Sequence, residues 1–152
     1  MEYNPIKPEK NFVERTIKLA KKLKDDEYST TLQINLLFGT IMLPKSHWYH
    51  SLKGCTVNLD EIKAVHITYS HPMISIKVLL HCLRNGLAHW RENGNQNVKF
   101  DTEQIENKNE IVKVTICGDG KVDNIHETAK IEFDVKQDGI IHFMEKIYTY
   151  LS

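Results

Sequence analysis

The sequence lacks an excess of charge of either sign, because 20 Lys and Arg residues balance 20 Asp and Glu residues among its 152 residues. A protein that coats nucleic acid over its whole surface usually carries a clear basic excess. Any contact with nucleic acid is therefore expected to be local, in a patch or a cleft. Apolar residues (41%) and charged residues (26%) occur in ordinary globular proportions, which excludes collagen-like and disordered chains.

Cysteine is scarce as well. Cys55, Cys82 and Cys117 are odd in number, widely separated and never in a C-x-x-C pair. This excludes a disulfide framework and a zinc module, so we expect reduced, partly buried thiols. His47 and His50 are spaced like a metal pair, but no further ligand follows nearby, and an amphipathic loop is the favoured interpretation. We predict neither a metal nor a cofactor.

Long hydrophobic runs are also missing. The longest apolar stretch, residues 34–43, is interrupted by Asn35, Gly39 and Thr40, and it is shorter than the roughly 20 residues that span a bilayer. No apolar run of the secretory type follows the first residues, MEYNPIKPEK. We therefore expect a cytoplasmic protein without a membrane segment, folded as a single domain over residues 1–152.

Apolar residues recur at helical spacing in several segments. Residues 10–26 and residues 29–43 are predicted as helices, and the second is apolar around so much of its circumference that we expect it in the centre of a bundle. A short helix is expected over residues 59–65, and a last helix is expected to open at residues 138–139. The clearest helix covers residues 75–90, and its core face is predicted to hold Ile76, Leu79, Leu80, Leu83 and Leu87.

After Gly94 the apolar pattern becomes alternating. Residues 111–117 and 129–135 are each predicted as a strand, and residues 98–100 could add a short third one. The string Gly118-Asp119-Gly120 is interpreted as a hairpin turn rather than a phosphate loop, because the full spacing of a phosphate loop is missing. The predicted fold is α+β but mainly α, with about four bundled helices and an antiparallel β-hairpin before the C-terminal helix.

The string Leu83-Arg84-Asn85-Gly86-Leu87-Ala88-His89 carries the candidate chemistry. If the core face is set at 0° around the helix axis, Arg84 lies at about 80°, Asn85 at about 180° and His89 at about 220°. All three side chains therefore point away from the core. Since Arg84 and His89 are about 140° apart, either the helix loosens near Gly86 or a second chain brings the two groups together. A two-fold homodimer would do so.

This string resembles the R-x(4–6)-H motif of the HEPN (higher eukaryotes and prokaryotes nucleotide-binding) superfamily, in which a polar residue usually follows the Arg. Residues 38–45, FGTIMLPK, are similar to the second helix of a plasmid- and defence-associated HEPN subfamily. The order of helices, strands and a closing helix is similar too, so the resemblance covers most of the chain. It implies a HEPN-like bundle, an active cleft between the subunits of a homodimer, and an antitoxin protein that restrains the activity.

The residue types suit cleavage of RNA by its own 2′-hydroxyl. An imidazole such as that of His89 transfers protons near neutral pH, and a guanidinium such as that of Arg84 can hold two phosphate oxygens as their charge grows. Asn85 could orient a phosphate or the imidazole. The first hypothesis is therefore a metal-independent endoribonuclease, acting as a toxin or a phage-defence effector.

Other residues and functions stay open at this point. His81 lies one turn from Asn85 and could line the same cleft or simply be solvated, while Lys77 and Arg91 could contact the RNA backbone although solvated surface is their plainer interpretation. A second hypothesis is a catalytically silent HEPN-like module that binds RNA, a nucleotide or a protein partner. A third is an interaction scaffold that uses its helical face.

Overall fold

A computed structural model of the chain describes residues 8–42, 65–70, 74–89, 91–92, 95–121 and 127–150. Four helices and a four-stranded antiparallel sheet account for most of these residues. The elements are α1 (Pro8–Lys22), α2 (Ser29–Met42), β1 (Val65–Tyr69), α3 (Ile76–Ala88), β2 (Arg91–Glu92), β3 (Asn95–Gln96), β4 (Val98–Ile105), β5 (Lys108–Lys121), β6 (Thr128–Lys136), a 3₁₀ turn (Gln137–Gly139) and α4 (Ile140–Tyr150).

The main sheet has the strand order β1-β6-β5-β4, while β2 and β3 form a separate two-stranded ribbon. Alternate residues of β6 are buried, as the alternating sequence predicted, so one face of the sheet belongs to the core and the other faces solvent. The buried residues of β6 are Ala129, Ile131, Phe133 and Val135.

The predicted mainly α bundle with a single β-hairpin is wrong. The two predicted strands are confirmed within β5 and β6, but they form the centre of a four-stranded sheet, with β1 and β4 on the outside. The strand β1, with sequence VHITY, begins at Val65, where a helix was predicted to end; residues 59–64 lie outside the described residues. Val65, Ile67 and Tyr69 alternate with His66 and Thr68, a strand pattern that the sequence analysis missed, and β1 pairs with β6.

The helices cover the buried face of the sheet. Phe143 of α4 makes an edge-to-face ring contact with Phe133 of β6 at 4.8 Å between centroids, and α1 and α2 pack on each other and on α4. The expectation that α2 lies in the centre of a bundle is wrong, since Thr31, Asn35 and Gly39 leave one side of it exposed. No helix within the described ranges has the length and apolar character needed to cross a membrane.

The helix α3 begins where the sequence predicted. Ser75 is its N-cap, and the Ser75 side chain accepts a hydrogen bond from the Val78 N–H at 3.2 Å. The predicted core face is confirmed, with Ile76, Leu79, Leu80 and Leu83 buried and Leu87 packed against the core at its edge.

A second side of α3 is also buried, because α3 lies unusually close to β5. A Cβ placed on Gly86 would lie 2.4 Å from the carbonyl oxygen of Cys117, and one on Gly118 would lie 1.9 Å from that of Cys82. Only glycines at both positions permit this approach. The predicted turn at Gly118–Gly120 is wrong, because these residues belong to β5. They form the part of β5 against which α3 packs.

The first part of β5 pairs with β4, whose start at Val98 confirms the third strand suggested at residues 98–100, but the sequence did not reveal the length of this hairpin. Its turn consists of Glu106 and Asn107, both with positive φ (51° and 64°), as a two-residue hairpin turn of the type I′ class requires. Residues 101–109 are exposed, so apolar alternation is weak there and no strand pattern of that length could be recognised.

Candidate functional site

The polar residues of α3 fall into two groups by direction. Lys77, His81 and Arg84 are spaced i, i+4 and i+7 and lie along one outer stripe of the helix, although the His81 ring also lies against Gly120 of β5. Asn85 and His89 point instead towards the edge of β5. The helix runs unbroken from Ile76 to Ala88, so the predicted possibility that it loosens near Gly86 is not realised.

The edge of β5 is open where α3 ends. The pairing of β4 with β5 starts at Val98 opposite Ile116, and the Cys117 N–H then donates to the Asn97 carbonyl at 2.7 Å. Beyond that point, no strand of the described part covers this side of β5. Asn85 takes the place of a strand partner, because its side-chain Nδ2 donates to the backbone carbonyl of Asp119 at 2.9 Å.

A cleft of about 490 Å³ lies between the end of α3 and this open edge. His89 is exposed at its mouth, at the C-cap of α3. The His89 N–H donates to the Asn85 carbonyl at 2.9 Å, and the His89 carbonyl accepts from the side-chain amide of Asn97. The backbone of His89 is therefore held on both sides while its ring remains open to a ligand. The cleft is lined by Asn85, Gly86, His89, Asn97, Cys117, Gly118, Asp119, Lys130 and Ile131.

A second cavity of about 400 Å³ lies on the other side of Asn85. His81, Gly120, Lys121 and Thr128 line it, and Asn85 and Asp119 border both cavities. The hydrogen bond between Asn85 and Asp119 therefore forms a bridge between the two cavities.

The same amide of Asn85 also lies 3.3 Å from Nε2 of His81. A backbone carbonyl only accepts hydrogen bonds, so the contact with Asp119 fixes which end of the Asn85 amide carries the N–H groups. Nε2 of His81 must then accept, which places the proton of the neutral ring on Nδ1. Asn85 thus acts mainly as a link between α3 and β5, and it also orients His81.

The structure does not bring Arg84 and His89 together within one chain. Arg84 is half-buried on the outer stripe and lines neither cavity, whereas His89 lines the larger one. Lys77, also half-buried, lies on the same stripe as Arg84. Arg91 belongs to β2, and its side chain lies outside the described part, as do His47 and His50.

Several site residues escaped the sequence analysis. Lys130 lines the cleft, Lys121 lines the second cavity, and Asn97 holds the His89 backbone. The pair Gly118 and Gly120 could have indicated that α3 packs on this strand, since glycines inside a strand often mark a close approach of other backbone. That signal was obscured by the resemblance of G-D-G to a turn.

Neither described cysteine is suited to nucleophilic chemistry. Burial, with a smaller contribution from Asp119, raises the pKa of the Cys82 thiol to about 12. Burial also raises the pKa of Cys117, which lines the cleft. Both residues are free thiols, and near neutral pH both are protonated and therefore poor nucleophiles.

The chain matches no protein-family model, and no match is found among curated proteins or solved structures. Within the described ranges, no three His, Cys, Asp or Glu side chains converge as a metal site would require. Among the residues that line the cleft, His89 offers proton transfer by its imidazole, and Lys130 offers a positive charge.

Proposed function

We propose that this chain is a metal-independent endoribonuclease that cleaves RNA through attack of the substrate's own 2′-hydroxyl. The observation that carries the proposal is the placement of His89, whose backbone is held by Asn85 and Asn97 while its ring is exposed in an open cleft. The same helix carries Arg84. The resemblance of residues 84–89 to the HEPN motif supports the same activity.

In the proposed reaction, His89 takes the proton from the 2′-hydroxyl, and the resulting oxygen attacks the adjacent phosphorus. The bond from phosphorus to the 5′-oxygen breaks, that oxygen takes a proton from solvent water, and the exposed His89 releases its own proton to solvent. The products are a 2′,3′-cyclic phosphate and a free 5′-hydroxyl. Arg84 neutralises the charge that grows on the non-bridging oxygens, for which a planar guanidinium is well suited.

A homodimer is part of this proposal. The other imidazole on the helix, that of His81, is two turns from His89, about 12 Å along the axis, so the two do not act on one phosphate. Arg84 also points away from the cleft of its own chain. A two-fold axis beside the end of α3 would place Arg84 of one subunit near His89 of the other. Light scattering at micromolar concentration should give twice the mass of the chain, and a monomer would contradict this arrangement.

The activity is tested by incubating a mixed RNA pool with the purified protein in the presence of a chelator. We expect cleavage by the wild type, and a loss of about 10² to 10⁴ in rate for His89→Ala, since one proton-transfer group is removed. Arg84→Ala should lose a comparable factor, and Arg84→Lys should recover it only in part, because an ammonium does not match two phosphate oxygens.

His66→Ala is the matched control for the loss of a histidine. His66 lies on β1, its side chain is 75% exposed, and it belongs to the solvent face of the sheet rather than to the cleft. This variant should cleave like the wild type. Equal cleavage by all folded variants would contradict the roles of Arg84 and His89.

The second candidate is a module that binds RNA, a nucleotide or a protein partner without cutting. The separation of Arg84 from His89 within one chain favours it, because a monomer would then hold an incomplete site. Binding of RNA without cleavage by a dimeric protein would favour this reading. A role as a toxin or phage-defence effector, restrained by an antitoxin, is proposed on the resemblance alone.

A further inference from the structure

The second cavity, on the His81 side of the Asn85–Asp119 bridge, has no role in the reaction proposed above. It opens on the surface beside the cleft and shares Asn85 and Asp119 with it, so a ligand that leaves one cavity across the bridge enters the other. Each cavity contains one lysine from the neighbouring strands β5 and β6, Lys121 in the second cavity and Lys130 in the cleft. Each of the two adjacent cavities therefore has one lysine that could contact a phosphate.

The helix side of the second cavity is formed by His81 and Asn85. His81 lies in its wall, and Lys77 and Arg84 are the neighbours of His81 on the outer stripe, one turn away in each direction. The acidic group in the wall is the exposed carboxylate of Asp119, and Glu127 precedes Thr128 in the chain. Among the residues that line this cavity, Lys121 is therefore the permanent cation and Asp119 carries the carboxylate.

We infer that this second cavity is a subsite for the phosphate of a neighbouring nucleotide, so that the substrate is a single-stranded RNA lying across the Asn85–Asp119 bridge. The inference rests on the proposed function, since it extends the substrate of that same site. Lys121 holds the neighbouring phosphate while the scissile phosphate lies beside His89. A single strand fits because its backbone can follow a charged groove over a bridge that would obstruct a rigid duplex.

The test measures binding apart from cleavage. A fluorescein-labelled hexanucleotide carrying 2′-methoxy groups can bind but cannot be cut, because the attacking hydroxyl is blocked. Its affinity is measured by fluorescence anisotropy over a range of salt concentrations for the wild type, Lys121→Ala and Lys136→Ala. Lys136 is the matched control, since it is an exposed lysine at the far end of β6 from Thr128, about 27 Å away.

We expect Lys121→Ala to weaken binding about tenfold, as the loss of one charge-assisted phosphate contact does. The slope of log affinity against log salt should fall by about 0.7, the value for one phosphate contact on a single strand. Lys136→Ala should change neither quantity. Because Lys121 is exposed, its replacement should leave the melting temperature unchanged, which separates lost contact from lost fold.

Three results would decide the matter. Equal binding by Lys121→Ala and Lys136→Ala, or no binding of the hexanucleotide by the wild type, would overturn the subsite. If the wild type also cleaves the unmodified hexanucleotide, either of these results would overturn the subsite but not the proposed endoribonuclease activity. Lys121-dependent binding of an RNA that the wild type does not cut would instead support the subsite and contradict the endoribonuclease.

Discussion

The two sides of α3 are built for different purposes. On the side that packs against β5, Cys82 and Gly86 are fully enclosed, and backbone meets backbone with no room for a side chain. On the outer side, Lys77 and Arg84 are half-buried and take no part in the core, while Asn85 and His89 lie between the two sides and face the open edge of β5. The comparison teaches that the packed side fixes the position of the helix, which leaves the polar residues of its other sides free to carry chemistry.

The largest effect on the free energy of unfolding is expected from a substitution on the packed side. Gly86→Ala places a methyl group against the backbone of Cys117, which no side-chain rotation can relieve. We expect the free energy of unfolding to fall by roughly 1–3 kcal/mol, even though alanine is the better helix former. Urea denaturation followed by circular dichroism measures the change.

Gly39→Ala is the control for that experiment. Gly39 is also a helical glycine, but a Cβ there meets nothing within 4 Å among the described residues. The same substitution should therefore raise the free energy of unfolding by up to about 1 kcal/mol. If the two alanine variants changed stability alike, the close contact between α3 and β5 would be wrong.

A second prediction concerns pH and the buried thiol of Cys82. Because burial raises the pKa of this thiol from 9.0 to about 12, the folded protein keeps the proton at a pH where the unfolded chain loses it. The stabilisation is complete below pH 9.0 and is lost as pH rises towards 12, with a slope of up to about 1.4 kcal/mol per pH unit.

This slope is isolated by comparing variants under reducing conditions. Unfolding of the wild type and of Cys82→Ser is measured from about pH 8 to about pH 10, where the window opens. The wild type should lose stability more steeply than Cys82→Ser. Parallel curves would show that the Cys82 side of α3 is less enclosed than described.

The smallest effect is expected at Asn85, on the boundary between the two sides. Asn85→Ala removes the hydrogen bond to the Asp119 carbonyl, which lies at an open strand edge that water can reach. We expect a loss of about 1 kcal/mol, or about 3 °C in melting temperature, by differential scanning calorimetry. A loss as large as that of Gly86→Ala would mean that Asn85 belongs to the packed side.

The sequence predicted much of α3 and the central strands, because strong apolar periodicity marks both. The apolar residues from Ile76 to Leu83 and the alternating apolar residues of β6 are the ones that the fold buries. The directions of Arg84, Asn85 and His89 followed from helix geometry alone. Their separation within one chain was therefore foreseen, although its consequence for catalysis is still a proposal.

The rest could not be predicted because it depends on distant residues meeting. The second buried side of α3 exists only because Gly86 and Gly118, far apart in the chain, allow close contact. The fixation of His89 by Asn97 depends on where β4 begins. The exposed part of β4 after residue 100 carries too little apolar alternation to be distinguished from a loop.

The central claim is that the polar residues of α3 cleave RNA through the substrate's 2′-hydroxyl, with His89 moving the proton. It is tested most directly by single-turnover cleavage, with chelator present, of one defined RNA and of the same RNA carrying a single 2′-deoxy nucleotide at the cleaved position. The account predicts rapid cleavage of the first, none of the second at that position, and a loss of about 10² to 10⁴ in rate for His89→Ala. Cleavage of the 2′-deoxy position at the same rate, or full activity of a folded His89→Ala protein, would contradict it.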